Sequence, residues 1–223
     1  MTNYVIILSG GFGSRFGSDK PKQFVKIGGD PILWHTIKAF NDSEIIDKII
    51  VVANRDYVTQ TKEIASDFAK VCKVVEGGKE TRSQSSYNGV MAIKADDNDN
   101  VLIHDGARPF VSDEIIKNCI KSLSKNKCVA TVLPATDTLY EIKGKKVVNI
   151  PNRDNFVMVQ TPQGFKYDVL KSAYEKFDNK ASFSDDVSLV KKYIKDTDVC
   201  IVNGDKKNIK ITTEDDLLLV RDI

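Results

Sequence analysis

No sign of charge dominates this chain: 33 Lys and Arg stand against 31 Asp and Glu, a formal net charge of +2 spread along its length. That balance leaves no electrostatic footprint for nucleic acid and no polybasic patch for a membrane surface. Cysteine is scarce as well. Cys72, Cys119, Cys128 and Cys200 are widely spaced and form no C-x-x-C pair, so they read as buried hydrophobes in a reducing compartment rather than as disulfides or metal ligands. There is no long apolar run, and the start of the chain turns straight into a strand without a basic segment and cleavage site. The expectation is a cytoplasmic protein, neither secreted nor membrane-spanning. Internal repeats, low-complexity tracts and linkers are also missing, so the 223 residues read as one domain, 1–223, long enough to bury a full core.

What the chain does contain is an alternation of short β-branched runs with segments of helical period. The expected strands are Tyr4–Leu8, Lys48–Ala53, Cys72–Glu76, Asn100–His104 and Cys128–Leu133, each apolar enough for burial on both faces of a parallel sheet. Between them, helices are expected over Ile32–Phe40, opened by Asp30-Pro31, over about Val58–Ala69 and Gln84–Ala95, and over Asp113–Ser122 behind the cap Ser112. This order predicts an α/β fold: a Rossmann-like, mostly parallel sheet sandwiched by helices through right-handed crossovers. The alternation fails between Pro134 and Phe165. There Thr138–Ile142, the turn Lys143-Gly144-Lys145, Val147–Ile150 and Val157–Gln160 read as a protruding β-arm, about 135–160. A two-stranded ribbon alone is marginal in water, which points to a homodimer joined through this arm. Helices near Tyr167–Phe177 and Asp185–Tyr193, a strand Asp198–Val202 and a closing helix from Thr213 complete the reading.

Four stretches carry chemistry. Residues 9–22, Ser-Gly-Gly-Phe-Gly-Ser-Arg-Phe-Gly-Ser-Asp-Lys-Pro-Lys, follow the first strand and join glycines to Arg15 and Lys22. Glycine lets backbone N–H groups approach a ligand closely, and the two cations add charge, so the loop suits a nucleotide phosphate chain. It is not a Walker A loop, because no Gly-Lys-Ser/Thr ends five residues after Gly10 or Gly11. Nor is it the dinucleotide fingerprint, which Gly11, Gly13 and Gly17 miss by one position. The plain alternative is a glycine-rich turn with solvated charges. The second stretch, Ile103-His104-Asp105-Gly106-Ala107-Arg108-Pro109-Phe110, puts Asp105 directly after a strand, where a carboxylate can hold a divalent metal or simply pair with Arg108. In the third, Gly77 to Ser86, hydroxyls and Arg82 precede a helix whose N-terminal amides favour anions. In the fourth, Asn208 to Asp216, Lys210 is expected on a strand before a capped helix, with plain surface exposure as the alternative.

Taken in order, these stretches resemble, almost from end to end, the cytidylyltransferases that activate small polyol phosphates with CTP. The likeness rests on Gly10-Gly11-Phe12-Gly13-Ser14-Arg15, Pro21-Lys22-Gln23-Phe24, His104 to Pro109, Asp137-Thr138, Gln160-Thr161-Pro162-Gln163 and Asn208-Ile209-Lys210. It implies one nucleotidyltransferase domain in which an acceptor phosphate oxygen attacks the α-phosphorus of CTP and pyrophosphate leaves. Arg15, Lys22 and Lys210 would carry the chemistry. Ser9, Gly10, Gly11, Gly13, Gly78, Arg82, Ser85, Asp105 and Gly106 would bind CTP, with Mg2+ at Asp105. Asp105, Arg108, Thr138, Arg153 and Ser184 would take the acceptor, the arm residues reaching into a neighbouring subunit.

The acceptor itself is read from departures within the family. Thr138-Leu139-Tyr140-Glu141 and Ile150-Pro151-Asn152-Arg153 are closer to the ribitol-5-phosphate branch, whereas Ser18-Asp19-Lys20-Pro21 and Gly106-Ala107-Arg108-Pro109 look more like the 2-C-methyl-D-erythritol 4-phosphate branch. Ser184 stands where both usually have threonine. The lean is to CDP-ribitol synthesis for teichoic acid or capsule, the alternative is the isoprenoid enzyme, and an inactive nucleotide-binding scaffold is more distant.

Overall fold

The computed structural model describes residues 1–11, 16, 21–178 and 181–220. Strand β1 (Asn3–Ser9) is the opening apolar run, and it divides its side chains between two cores: Tyr4 and Ile6 enter one, Val5 and Ile7 the other. That is the two-residue period of a strand with helices on both faces. A 3-10 turn (Lys22–Phe24), the short strands β2 (Lys26–Ile27) and β3 (Asp30–Pro31), and helix α1 (Ile32–Asn41) follow. Then β4 (Lys48–Ala53), α2 (Val58–Ala65), β5 (Val71–Glu76), α3 (Arg82–Met91), β6 (Asn100–Asp105), α4 (Asp113–Leu123) and β7 (Cys128–Pro134) continue the alternation. The last part holds β8 (Glu141–Lys143), β9 (Lys146–Asn149), the long β10 (Val157–Lys166), α5 (Tyr167–Glu175), α6 (Asp186–Tyr193), β11 (Val199–Asn203) and a 3-10 segment, Asp215–Val220.

The main sheet runs β11-β7-β10-β6-β1-β4-β5 and is parallel except for β10, which is antiparallel to both β6 and β7. The α/β expectation therefore holds. Val90 of α3, Leu170 of α5 and Leu189 of α6 pack on one face; Leu33 and Phe40 of α1 and Ile116 of α4 pack on the other. Helix α3 lies so close that a Cβ on Gly89 would meet Ile6 Cγ2 at 2.7 Å and Val52 Cγ2 at 2.9 Å. Its glycine is a packing requirement of the helix–sheet contact.

Several boundaries differ from the sequence reading, each for a physical reason. Val157–Gln160 is not a third arm strand. It is the start of β10, where Val157 pairs with Pro134 at the end of β7; only β8 and β9 form the projecting hairpin. The β10 register shifts between Gln160 and Gln163, around Pro162, which has no N–H for the ladder. Strand β5 is not buried on both faces, because it is the sheet edge; Cys72 there is exposed and Cys200 on the other edge is half-buried, while Cys119 and Cys128 are buried as expected. Helix α3 starts at Arg82 rather than Gln84, because Thr81 and Gln84 close a capping box one turn earlier. Helix α2 ends at Ala65, short of Ala69, and Phe68 folds back into the core. The closing segment is a 3-10 turn, not an α-helix, and Lys210 before it lies on a loop pinned to Ala107 through Ile211 rather than on a strand.

Candidate active site

Strands β1 and β6 are parallel neighbours with Leu8 opposite Asp105. That register sets the end of the glycine loop beside the Asp105 turn, at the carboxyl edge where open α/β sheets bind ligands. The two turns are tied directly, since Gly106 N–H donates to Leu8 O at 2.8 Å. A Cβ on Gly106 would lie 2.9 Å from the same carbonyl, so the approach needs glycine.

A cleft of about 550 Å³ opens there, lined by Ser9, Gly10, Gly11 and Lys22, by Gly78, Arg82 and Ser85, and by Asp105, Gly106 and Lys210. A smaller hollow of about 240 Å³ adjoins it, lined by Arg108, Gln160, Thr161, Gln163, Ser184 and Asp185. Arg82, Asp105 and Lys210 border both. Sequence reasoning thus named residues from both hollows. Gly13 and Arg15 lie outside the described residues.

Asp105 is the hub. Its carboxylate lies 3.0 Å from Lys210 Nζ, 3.4 Å from Arg108 Nε and 3.5 Å from Arg82 Nε, with only 11 % of the side chain exposed. Burial by itself would raise the Asp105 pKa; the charges of Arg82, Lys210 and Arg108 outweigh it and hold the carboxyl far below the usual carboxylate range. The Asp105–Arg108 pair weighed from the sequence is therefore real, but it is one contact of a larger cluster. Lys22 Nζ donates to Ile211 O at 2.6 Å, and Arg108 Nη1 to Asn208 O at 2.8 Å. The segment carrying Lys210 is in turn pinned by Ile211 N–H to Ala107 O.

His104 supports this turn without joining the chemistry. The Asp105 N–H donates to Thr161 Oγ1, so the threonine hydroxyl hydrogen is free for His104 Nδ1, both at 3.1 Å. That assigns the Nε2–H tautomer, which donates to Arg108 O at 3.0 Å. Burial lowers the imidazole pKa to about 4, so the ring is neutral at physiological pH and both nitrogens are engaged.

Other polar residues were quoted as motif or passed over in the sequence, and the structure gives them framework roles. Gln23 Nε2 donates to Ser9 O at 2.8 Å and Gly11 O at 3.0 Å, and Asn54 Nδ2 to Gly10 O at 3.0 Å. These side-chain amides hold the loop's carbonyls against the protein. Ser85, named above for the nucleotide, accepts at Oγ from Gly78 N–H at 3.0 Å and so ties the Gly77-Gly78 turn to helix α3. Asn208 donates to Gln160 Oε1 and Thr161 O, and Gln163 Oε1 accepts from the N–H of Asp186 and Val187. No local pattern in the sequence distinguishes such buried amides from surface ones.

Thr138 and Arg153 are not brought to either hollow within one chain. They sit exposed beside the projecting hairpin, where Arg153 Nη1 donates to Thr136 O at 2.8 Å rather than pairing with Asp154. A metal could be held by Asp105 alone: no group of three or more His, Cys, Asp or Glu that could hold an ion occurs among the described residues. One carboxylate suits magnesium, which commonly takes one or two protein carboxylates and completes its shell with substrate phosphates and water. No helix among the described residues is long and apolar enough to cross a membrane.

Comparison with known proteins meets this geometry. A family model described as 2-C-methyl-D-erythritol 4-phosphate cytidylyltransferase matches residues 3–223. The protein of that name from Thermosipho africanus is 41% identical over 218 residues, covering 96% of this chain and 95% of the relative. The bifunctional ribulose 5-phosphate reductase/CDP-ribitol pyrophosphorylase Bcs1 of Haemophilus influenzae is 39% identical over 223 residues, covering 97% of this chain and 47% of that longer protein. Among solved structures, the 4-diphosphocytidyl-2C-methyl-D-erythritol synthase of Anaerococcus prevotii superposes with a TM-score of 0.85 at 31% identity, covering 99% of this chain and 97% of the other.

Proposed function

This chain belongs to the 2-C-methyl-D-erythritol 4-phosphate cytidylyltransferase family, and from that premise we propose that it transfers CMP from CTP to 2-C-methyl-D-erythritol 4-phosphate, releasing pyrophosphate. The observation that carries the reading is the pair of adjoining hollows that share Arg82, Asp105 and Lys210. The larger takes the nucleotide along the glycine loop; the smaller takes the acceptor phosphate beside Arg108 and Ser184. An acceptor phosphate oxygen attacks the α-phosphorus in line, a new P–O bond forms, and the bond to the pyrophosphate oxygen breaks. No covalent enzyme intermediate is needed, so positioning and charge stabilisation are the protein's task. Lys22 and Lys210 meet the charge at the triphosphate, together with Arg15; Arg108 neutralises the acceptor phosphate. Asp105 would hold Mg2+, which when bound would supply further charge neutralisation at the phosphates.

The ribitol lean drawn from Thr138 to Glu141 and Ile150 to Arg153 gives way here. Those residues lie on the exposed arm, while the family model and most of the similar relatives carry the methylerythritol name. Ribitol 5-phosphate stays as the second reading, favoured by the likeness to Bcs1. A pyrophosphate-release assay with CTP over both acceptors decides it. Turnover of ribitol 5-phosphate at a higher kcat/KM than 2-C-methyl-D-erythritol 4-phosphate overturns the assignment.

The same proposal includes a homodimer. Tyr140, Ile142, Val148, Ile150, Phe156 and Met158 are 45–66% exposed around the arm, and a second copy under two-fold symmetry would cover them and place Arg153 at the other subunit's acceptor. Mixing Arg153→Ala with Lys22→Ala chains then regenerates activity, because one site of the mixed dimer keeps both residues. A verified mixed dimer without recovery refutes the shared site.

A further inference from the structure

Arg82 is held from behind by groups that line neither hollow. Its Nη1 lies 2.7 Å from Oδ2 of Asp186, whose side chain is fully buried, and the other carboxylate oxygen of Asp186 accepts from Tyr174 Oη at 2.5 Å. Tyr174 is itself 1% exposed, in the core formed by α5 and α6. Asp186 opens helix α6, where its N–H donates to Gln163 Oε1 at 3.1 Å. On the cleft side, Arg82 Nε lies 3.5 Å from Asp105. The guanidinium is thus held between the Asp105 carboxylate at the cleft and a fully buried one in the core.

A buried ion pair is weak evidence for a stability role, since desolvation offsets the attraction. A fork of five fixed donors aimed by two carboxylates is, however, well suited to holding phosphate oxygens in one geometry. Arg82 borders both hollows, where the transferred phosphoryl group passes from nucleotide to acceptor. We infer that Tyr174 and Asp186 form a buried anchor that orients Arg82 toward that phosphoryl group, with Tyr174 acting as a positioning residue through Asp186. Burial, and then the neighbouring Asp186 charge, raise the Tyr174 phenol pKa well above its ordinary value, so the hydroxyl remains a donor at every pH used for assay. The inference rests on the reading of the two hollows as nucleotide and acceptor sites.

Tyr174→Phe keeps the ring in the core and removes only the hydroxyl. It is expected to lower kcat about 3–10-fold, the size of one ordinary intramolecular hydrogen bond, with the KM for CTP within about twofold. In an Arg82→Lys background, which has no fork to aim, the same substitution is expected to lower kcat no further. An equal loss in both backgrounds, or an unchanged kcat in the native one, overturns the anchor. Guanidinium NMR of arginine-labelled protein reads the anchor without turnover. Restricted rotation gives Arg82 resolved Nη signals, and both Tyr174→Phe and Asp186→Asn are expected to merge them. Resolved signals in both variants also overturn it. If the native enzyme transfers CMP to neither acceptor, the functional reading fails while these spectra still decide the anchor.

Discussion

Replacing Asp105 by asparagine keeps the shape of the hub and removes its charge. Three cations within 3.5 Å, Arg82, Arg108 and Lys210, are then left facing one another. Removing one partner of a buried ion pair costs about 3–5 kcal/mol. Here Lys210 is 37% exposed and Arg82 25%, so water screens part of the surplus charge and the cost falls to about 2–3 kcal/mol. For a chain of this size that corresponds to a melting temperature lower by about 5–10 °C. The measurement is a thermal melt by circular dichroism in EDTA without nucleotide, at pH 7. The pH dependence supplies a second check with a definite sign. The folded carboxyl is held below its unfolded value, so its stabilisation is fully present above the unfolded pKa and is lost as pH falls below it. The gap between native protein and Asp105→Asn is therefore constant near neutrality and narrows below about pH 4. A melting temperature within about 2 °C of native at pH 7, or a gap that widens on acidification, refutes the reasoning.

Lys22→Ala, and Arg15→Ala beside it, are expected to lower kcat about 10²–10³-fold at saturating CTP with the far-ultraviolet spectrum unchanged, the typical value of a preorganised charge at the transition state. Near-native kcat in either variant removes that residue from the chemistry. Gly89→Ala sets helix propensity, which favours alanine by about 1 kcal/mol, against overpacking onto Ile6 and Val52, both fully buried. Overpacking of about 1–3 kcal/mol is expected to win, so a denaturant titration should show a lower midpoint; a higher one would mean that α3 shifts off the sheet without loss.

The alternation of apolar runs with helical segments was enough to place β1, β4, β6 and β7 to within a residue or two, because a two-sided buried strand must be written as a continuous run of Val, Ile and Leu. Likewise the gathering of the Gly10-Gly11 turn and Asp105 at one edge was legible, since ligand sites of such sheets follow strand ends and both sit at one, whereas Arg82 was read from its place at a helix start and Lys210 from the family likeness alone. Tertiary structure alone decided the rest. Nothing in Val157–Gln160 reveals that it pairs with β7 of the main sheet rather than with the arm, because an antiparallel partner distant in sequence leaves no local period. Nor does any motif link Tyr174 and Asp186 to Arg82. Their contact exists only because α5 and α6 pack beside α3 on one face of the sheet, where a charge withdrawn from water must find its partners across the fold.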